Sequence, residues 1–227
     1  MNMQIYLADI GNTHFHIYDG SKVVHLNHHD AIKQYQNKPL RYISVNSHIE
    51  EQISCIKGWE NVSSLIQLPG EYATMGVDRK ALCLSHNDGL FVDAGSAITI
   101  DVVEQGFYKG GCIFPGIKAI LQCYGNISPM LDVSFEEKLD LTRLPLTTKE
   151  QINYGIIAPI KILIEKYQQN KQIYIIGGDR KLLSHFIKDA VYDEALVFKG
   201  IMYALLGTRV KNSGVSLMDK CFIKPKA

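Results

Sequence analysis

Asp93-Ala94-Gly95-Ser96-Ala97-Ile98-Thr99-Ile100-Asp101 follows directly on a short apolar run, Gly89-Leu90-Phe91-Val92. The run reads as a strand ending on a carboxylate. Gly95-Ser96 reads as a turn, and Ala97 to Asp101 alternates like a returning strand. A turn of this kind leaves backbone N–H groups able to wrap a phosphate, while flanking carboxylates hold a cation. The same device stands near the start of the chain. Met3 to Ala8 is strand-like, runs into Asp9-Ile10-Gly11-Asn12-Thr13, and is followed by the extended stretch His14 to Tyr18. Two copies of Asp-x-Gly-[Asn/Ser]-[Thr/Ala], each between strands, point to an internal duplication.

Working outward from the first copy, Lys22 to Leu26 is a third strand, joined to the second by Asp19-Gly20, a strong hairpin signal. A short helix is expected over Asp30 to Gln36, a buried strand over Tyr42 to Asn46, and a helix over His48 to Ile56. Leu65 to Leu68 reads as another strand. The loop Pro69 to Gly76 leads into a helix near Asp78. From the second copy, Phe107 to Phe114 is a third strand, and Pro115-Gly116 enters a helix. Asn126 to Pro145 is irregular. A long helix over Thr148 to Gln168 carries Ile152, Ile156, Ile160 and Leu163 on one side. Ile173 to Ile176 is a buried strand ending at Gly177-Gly178-Asp179, and then come a helix, a strand over Ala195 to Phe198 and a helix over Gly200 to Val210. The tail is polar, with a strand expected at Val215 to Met218.

Each half therefore reads as three strands followed by α/β units. The expected fold class is α/β, with duplicated βββαβαβα lobes around a central cleft and a boundary near Asn87-Asp88. Residues 1–88 form the first lobe and residues 89–227 the second. Ligands favour clefts between lobes.

The 227 residues, 46% of them hydrophobic, are enough for one large domain or two small ones. A formal net charge of +1 gives no electrostatic footprint for nucleic acid or a membrane surface. The 12 tyrosines are scattered, with no basic patch to make them a base-stacking platform. The five cysteines are dispersed and odd in number, which reads as reduced thiols. His14 and His16 alternate on a strand and His28-His29 fall in a polar turn, without the partners that metal ligation needs. No signal peptide or apolar run of about 20 residues is present, so the cytoplasm is expected.

Five motifs in order resemble the type III pantothenate kinase family, within the acetate and sugar kinase, Hsp70 and actin superfamily. They are Asp9-Ile10-Gly11-Asn12-Thr13, Gly76-Val77-Asp78-Arg79, Asp93 to Asp101, Gly110-Gly111-Cys112-Ile113-Phe114-Pro115-Gly116, and Gly177-Gly178-Asp179. The resemblance implies an actin-like ATPase or ribonuclease H-like fold for each lobe. It also implies ATP-dependent phosphorylation of pantothenate to 4′-phosphopantothenate, the first step of coenzyme A synthesis.

Nucleotide would meet Asp9, Ile10, Gly11, Asn12, Thr13, His14, Phe15 and His16 in the first turn. Ser96, where the family usually has threonine, and Gly177 and Gly178 would complete that site. Asp9 would hold Mg²⁺ and Asp93 a monovalent cation, K⁺ or NH₄⁺. Asp78 would be the catalytic base, with Tyr72, Gly76, Val77, Asp78, Arg79 and Thr148 binding pantothenate. Thr148 would act near the interface of a homodimer, the long helix being the dimerisation helix. Read from the residues alone, Thr148 is a helix N-cap and Asp78 a carboxylate favoured at a helix start. Asp101 is equally well a hairpin-closing residue. Two other functions fit the fold: another small-molecule kinase or phosphohydrolase, and a non-catalytic transcriptional accessory protein of the same family.

Overall fold

Short apolar runs become the inner strands of two sheets in the computed structural model, which describes residues 6–207. The strand expected at Val215 to Met218, the last positions of the helix expected to reach Val210, and the start of the first strand before Tyr6 lie outside the described residues. The first sheet is built from β1 (Tyr6–Ile10), β2 (Phe15–Tyr18), β3 (Val23–Leu26), β4 (Leu40–Ser44) and β5 (Trp59–Asn61). Its order is β3-β2-β1-β4-β5, with β1–β2 and β2–β3 antiparallel and β4 and β5 parallel to their neighbours. Helices α1 (His28–Tyr35), α2 (Ser47–Ile53) and α3 (Val77–Leu84) complete this half.

The second sheet contains β6 (Gly89–Ala94), β7 (Ala97–Glu104), β8 (Phe107–Pro115), β9 (Ile173–Ile176) and β10 (Ala190–Tyr192), in the order β10-β9-β6-β7-β8. Counted from its own first strand, each sheet runs third, second, first, fourth, fifth. The duplication read from the turns is thus a duplication of topology. The remaining helices are α4 (Ile117–Ile127), α5 (Thr148–Gln168), α6 (Arg180–Leu183) and α7 (Leu196–Leu206). Among the described residues no helix is long and apolar enough to cross a membrane.

The chain divides into two compact units. One takes the described residues up to Asn87, Gln105–Tyr108 and those from Glu194; the other takes Asp88–Glu104 and Lys109–Asp193. The first core gathers Ile10, Phe15, Ile17, Tyr42 and Trp59, and the second gathers Leu90, Val92, Ile100, Ile156 and Ile175. The last helix, counted by the sequence boundary with the second half, packs in the first unit. Phe198 of α7 stacks on Tyr18 at 5.3 Å between ring centroids. A Cβ on Gly200 would fall 1.7 Å from the Ala81 carbonyl oxygen, so only glycine lets α7 approach α3 this closely.

Four elements differ from the sequence expectations, one of them the unexpected strand Ala190–Tyr192, which pairs in parallel with β9. The strand placed at Leu65 to Leu68 forms instead at Trp59–Asn61, paired with β4. Asn61 Oδ1 then accepts the Ser63 amide and turns the chain into a 3₁₀ turn at Ser63–Leu65, leaving Ile66 and Leu68 as buried loop residues. The strand expected over Ala195 to Phe198 is the start of α7, whose Leu196, Val197 and Phe198 are all buried. A segment buried on every side carries no period that distinguishes strand from helix. Finally, α1 begins at His28, before Asp30, because the Asn27 side chain accepts the Asp30 amide at 2.9 Å and caps the helix. His28 and His29 therefore sit in a helical first turn.

Candidate functional site

In the first unit β1 ends on Asp9 and Ile10, and the chain turns through Gly11, Asn12 and Thr13 into β2. Val45 N–H donates to Ile10 O at 3.1 Å and Gly11 N–H to His14 O at 3.0 Å. Asn12, Thr13 and His14 are exposed, whereas the Ile10 and Phe15 side chains are fully buried. Those two residues can serve a ligand only through their backbone. His16 lies within 2.6 Å of His25 (Nδ1 to Nδ1), and His25 Nε2 reaches Glu194 Oε2 at 3.0 Å. Burial, then the neighbouring His25 and His14, lower the His16 pKa to about 4.

The Gly76–Arg79 motif opens α3 at the same carboxyl end of the sheet, since Val45, bonded to Ile10, also lines Gly76. The Asp78 carboxylate lies against Gly76, and its Oδ1 accepts the Arg79 amide at 2.8 Å. Arg79 is buried at 7% exposure, and a buried charge needs partners. Its Nη1 donates to the Tyr72 hydroxyl at 2.6 Å and its Nη2 to the Tyr108 hydroxyl at 3.3 Å. Tyr108, which the sequence reading did not single out, also donates its amide to Pro69 O at 2.8 Å and so grips the loop that carries Tyr72. Lys80 and Glu71 pair at 2.7 Å, and Glu71 also takes the Leu68 amide. The loop before Asp78 is thus tied at both ends, although no short-range pattern announces it.

In the second unit β6 ends on Asp93 and Ala94, and Gly95-Ser96 turn into β7. Asp93 pairs across the ladder with Thr99, whose buried Oγ1 has no hydrogen-bond partner among the described residues. Directly opposed residues share one face of the sheet, so a carboxylate and a free hydroxyl oxygen stand side by side. Gly177 follows β9 with a φ of 93°, and a Cβ there would fall 2.3 Å from Ala94 O and 2.6 Å from Asp93 Oδ1. Asp93, Ser96, Gly177 and Gly178 are therefore brought together at the carboxyl ends of β6 and β9, where ligands of open α/β sheets bind. Burial raises the Asp179 pKa from its ordinary value. Asp101, within β7 and opposite Phe91 of β6, is wholly buried.

Thr148 is exposed in the first turn of α5 and makes no hydrogen bond to the β6–β7 turn. The N-cap is not Thr148 but Thr147, whose Oγ1 donates to Glu150 Oε2 at 2.7 Å and accepts the Glu150 amide. Thr147 thus caps the helix one residue earlier than expected, and the Glu150 carboxylate holds the capping hydroxyl. Behind it, fully buried Asn153 accepts the Glu136 amide and donates to Ser134 O and Lys149 O. This side chain pins the irregular segment to α5.

Two sheets of one topology, each with an Asp-x-Gly turn after its first strand, define an α/β protein with the actin-like fold. A family model for type III pantothenate kinase matches residues 44–170. A Helicobacter hepaticus protein named type III pantothenate kinase is 37% identical over 204 residues, covering 88% of this chain and 97% of that one. The chain belongs to the type III pantothenate kinase family. It is also similar to a Campylobacter jejuni crystal structure described as a candidate Baf family transcriptional activator. The identity is 34% and the TM-score 0.79, over 88% of this chain and 96% of that one. A candidate 2-dehydro-3-deoxygalactonokinase from Sinorhizobium meliloti shares the fold alone, with TM-score 0.54 and 9% identity over 93% and 99% of the two chains.

Proposed function

We propose that this protein transfers the γ-phosphoryl group of ATP to the primary hydroxyl of pantothenate, giving 4′-phosphopantothenate for coenzyme A synthesis. The observation that carries this reading is the family match over residues 44–170, which spans the Gly76–Arg79 loop, Asp93, Ser96 and Thr148. Phosphoryl transfer asks the protein mainly for positioning and charge neutralisation, plus a group to accept the hydroxyl proton. In this reading Asp78 takes that proton, at the start of a helix where an anionic substrate is also favoured. Arg79, oriented by two tyrosine hydroxyls, binds pantothenate together with Tyr72, Gly76, Val77 and Thr148.

In the first unit the Gly11–Thr13 amides and the Thr13 hydroxyl are read as phosphate-binding groups; in the second unit Ser96, Gly177 and Gly178 are read as nucleotide-binding groups. His14 and His16 flank the first of these. The Asp9 carboxylate is a hard oxygen donor of the kind Mg²⁺ takes. No cluster of three or more His, Cys, Asp or Glu side chains among the described residues is arranged to hold a metal. Phosphate oxygens and water would therefore complete the Mg²⁺ shell. Asp93 with the free Thr99 hydroxyl fits a monovalent cation, K⁺ or NH₄⁺, that offsets repulsion between carboxylate and phosphate.

The protein is read as a cytoplasmic homodimer without a nucleic-acid partner. The dimer is supported by apolar surface on and after α4 and beside α5: Ile127, Met130, Leu144 and Leu146 are 73–93% exposed. In this reading Thr148, a few residues from Leu146, lies near the dimer interface.

Incubation with ATP, Mg²⁺, K⁺ and radiolabelled pantothenate tests the activity. Labelled phosphopantothenate that forms faster with K⁺ than without it is the expected result. A folded protein that makes none under either condition sinks the reading. The description of the Campylobacter structure favours one second reading, a transcriptional accessory role. Specific DNA retention by a catalytically silent protein would select it.

A further inference from the structure

The turn after β6 is held from behind by backbone groups: Gly116 N–H donates to Ser96 O and Asp179 N–H to Ala94 O, both at 2.9 Å. Its counterpart after β1 has one such tie, Val45 N–H to Ile10 O. A second tie comes from a side chain, His28, whose Nε2 lies 3.0 Å from Gly11 O. A carbonyl oxygen only accepts, so this Nε2 carries the proton.

We infer that His28 is a positioning residue for nucleotide binding, acting through the peptide between Gly11 and Asn12. The inference rests on reading the Asp9–Thr13 turn as a phosphate loop. A peptide unit is planar and trans, so its C=O and N–H point in opposite directions, and there are no cis peptide bonds among the described residues. Fixing the Gly11 carbonyl on His28 therefore aims the Asn12 N–H away from α1 and outward. In a tight two-residue hairpin the residues flanking the loop exchange both backbone bonds. Here Gly11 N–H bonds His14 O, while the imidazole takes the Gly11 carbonyl in place of the His14 amide. The turn stays open, and the Asn12 and Thr13 amides have no acceptor among the described residues. Successive outward amides of this kind make a concavity for an anion.

His28 is itself held in place. It is the first residue of α1, behind the Asn27 cap, and its ring meets the buried Phe15 edge-on at 5.5 Å and 71°. Its ring orientation is thereby fixed from the core side, and it touches the turn without being part of it.

Two substitutions separate the hydrogen bond from packing. His28→Leu keeps apolar bulk but removes the donor; His28→Gln places an amide N–H at similar reach. Titration with Mg·ATP and steady-state kinetics are read together. His28→Leu should raise the ATP Kd and KM about tenfold, the worth of one hydrogen bond. kcat and the pantothenate KM should change much less, and His28→Gln should recover most of the loss. Wild-type ATP affinity in His28→Leu overturns the inference, and so does an equal loss in both variants, which would mark a packing role. Failure of the folded wild-type protein to bind Mg·ATP instead removes the phosphate-loop reading, and the inference falls with it. Should both variants fail to fold, ¹⁵N NMR of the wild-type imidazole decides. A proton on Nε2 of His28 and an Asn12 amide shift on adding ATP are expected, and a proton on Nδ1 alone overturns the inference.

Discussion

Asp78 and His16 are the residues whose chemistry can be isolated most directly. Asp78→Asn keeps the side chain's shape and its place against Gly76 but removes the proton acceptor. Turnover should fall about 10²–10⁴-fold, the usual worth of general base catalysis, with the ATP KM nearly unchanged. Near-normal kcat would take Asp78 out of that role. His16 bears on stability. Its pKa is lowered to about 4 in the folded protein, against 6.5 unfolded. Below pH 6.5 the unfolded chain therefore binds a proton that the folded one refuses, so stability falls as pH drops from 6.5 toward 4. The loss should be on the order of 1–3 kcal/mol at pH 4.5. His16→Gln should flatten that part of a urea-denaturation series run from pH 7 to 4.5; an equally steep series in the variant would contradict this.

At the scale of elements, the turns and the long helix were legible because their signals are local. Asp-x-Gly between alternating runs needs only neighbouring residues to read, and so does the apolar spacing of α5, although its cap was placed one residue late, at Thr148 and not Thr147. Trp59–Asn61 was missed because a three-residue strand has too few residues to show a period; its partner β4 makes it a strand. The start of α7 was missed because burial on all sides erases the helical stripe. Gly200 shows what holds that helix. Gly200→Ala would put a methyl group onto the Ala81 backbone. Roughly 2–3 kcal/mol of stability should be lost, seen as a Tm about 5–10 °C lower. An unchanged Tm would show that α7 can move away from α3 at little cost.

For the whole molecule, the homodimer is the proposal that assembly can test. Met130→Glu with Leu146→Glu places two charges on exposed apolar surface, where the monomer fold has little to lose. Light scattering should give twice the 25.5 kDa chain mass for the native protein and a single chain mass for the double variant. A native protein that elutes as a monomer would remove Thr148 from any role in a partner's site. What the sequence by itself determined was the duplication, the two Asp-Gly turns, the Gly76–Arg79 loop and hence the family. These are carried by short runs whose side-chain spacing and turn chemistry are fixed by local sterics. Only the tertiary structure decided that α7 returns to the first unit, that Tyr108 orients Arg79, and that His28 holds the Gly11 carbonyl. Each of those pairs residues far apart in the chain, and a hydrogen bond or a close approach between distant residues has no local signature to read.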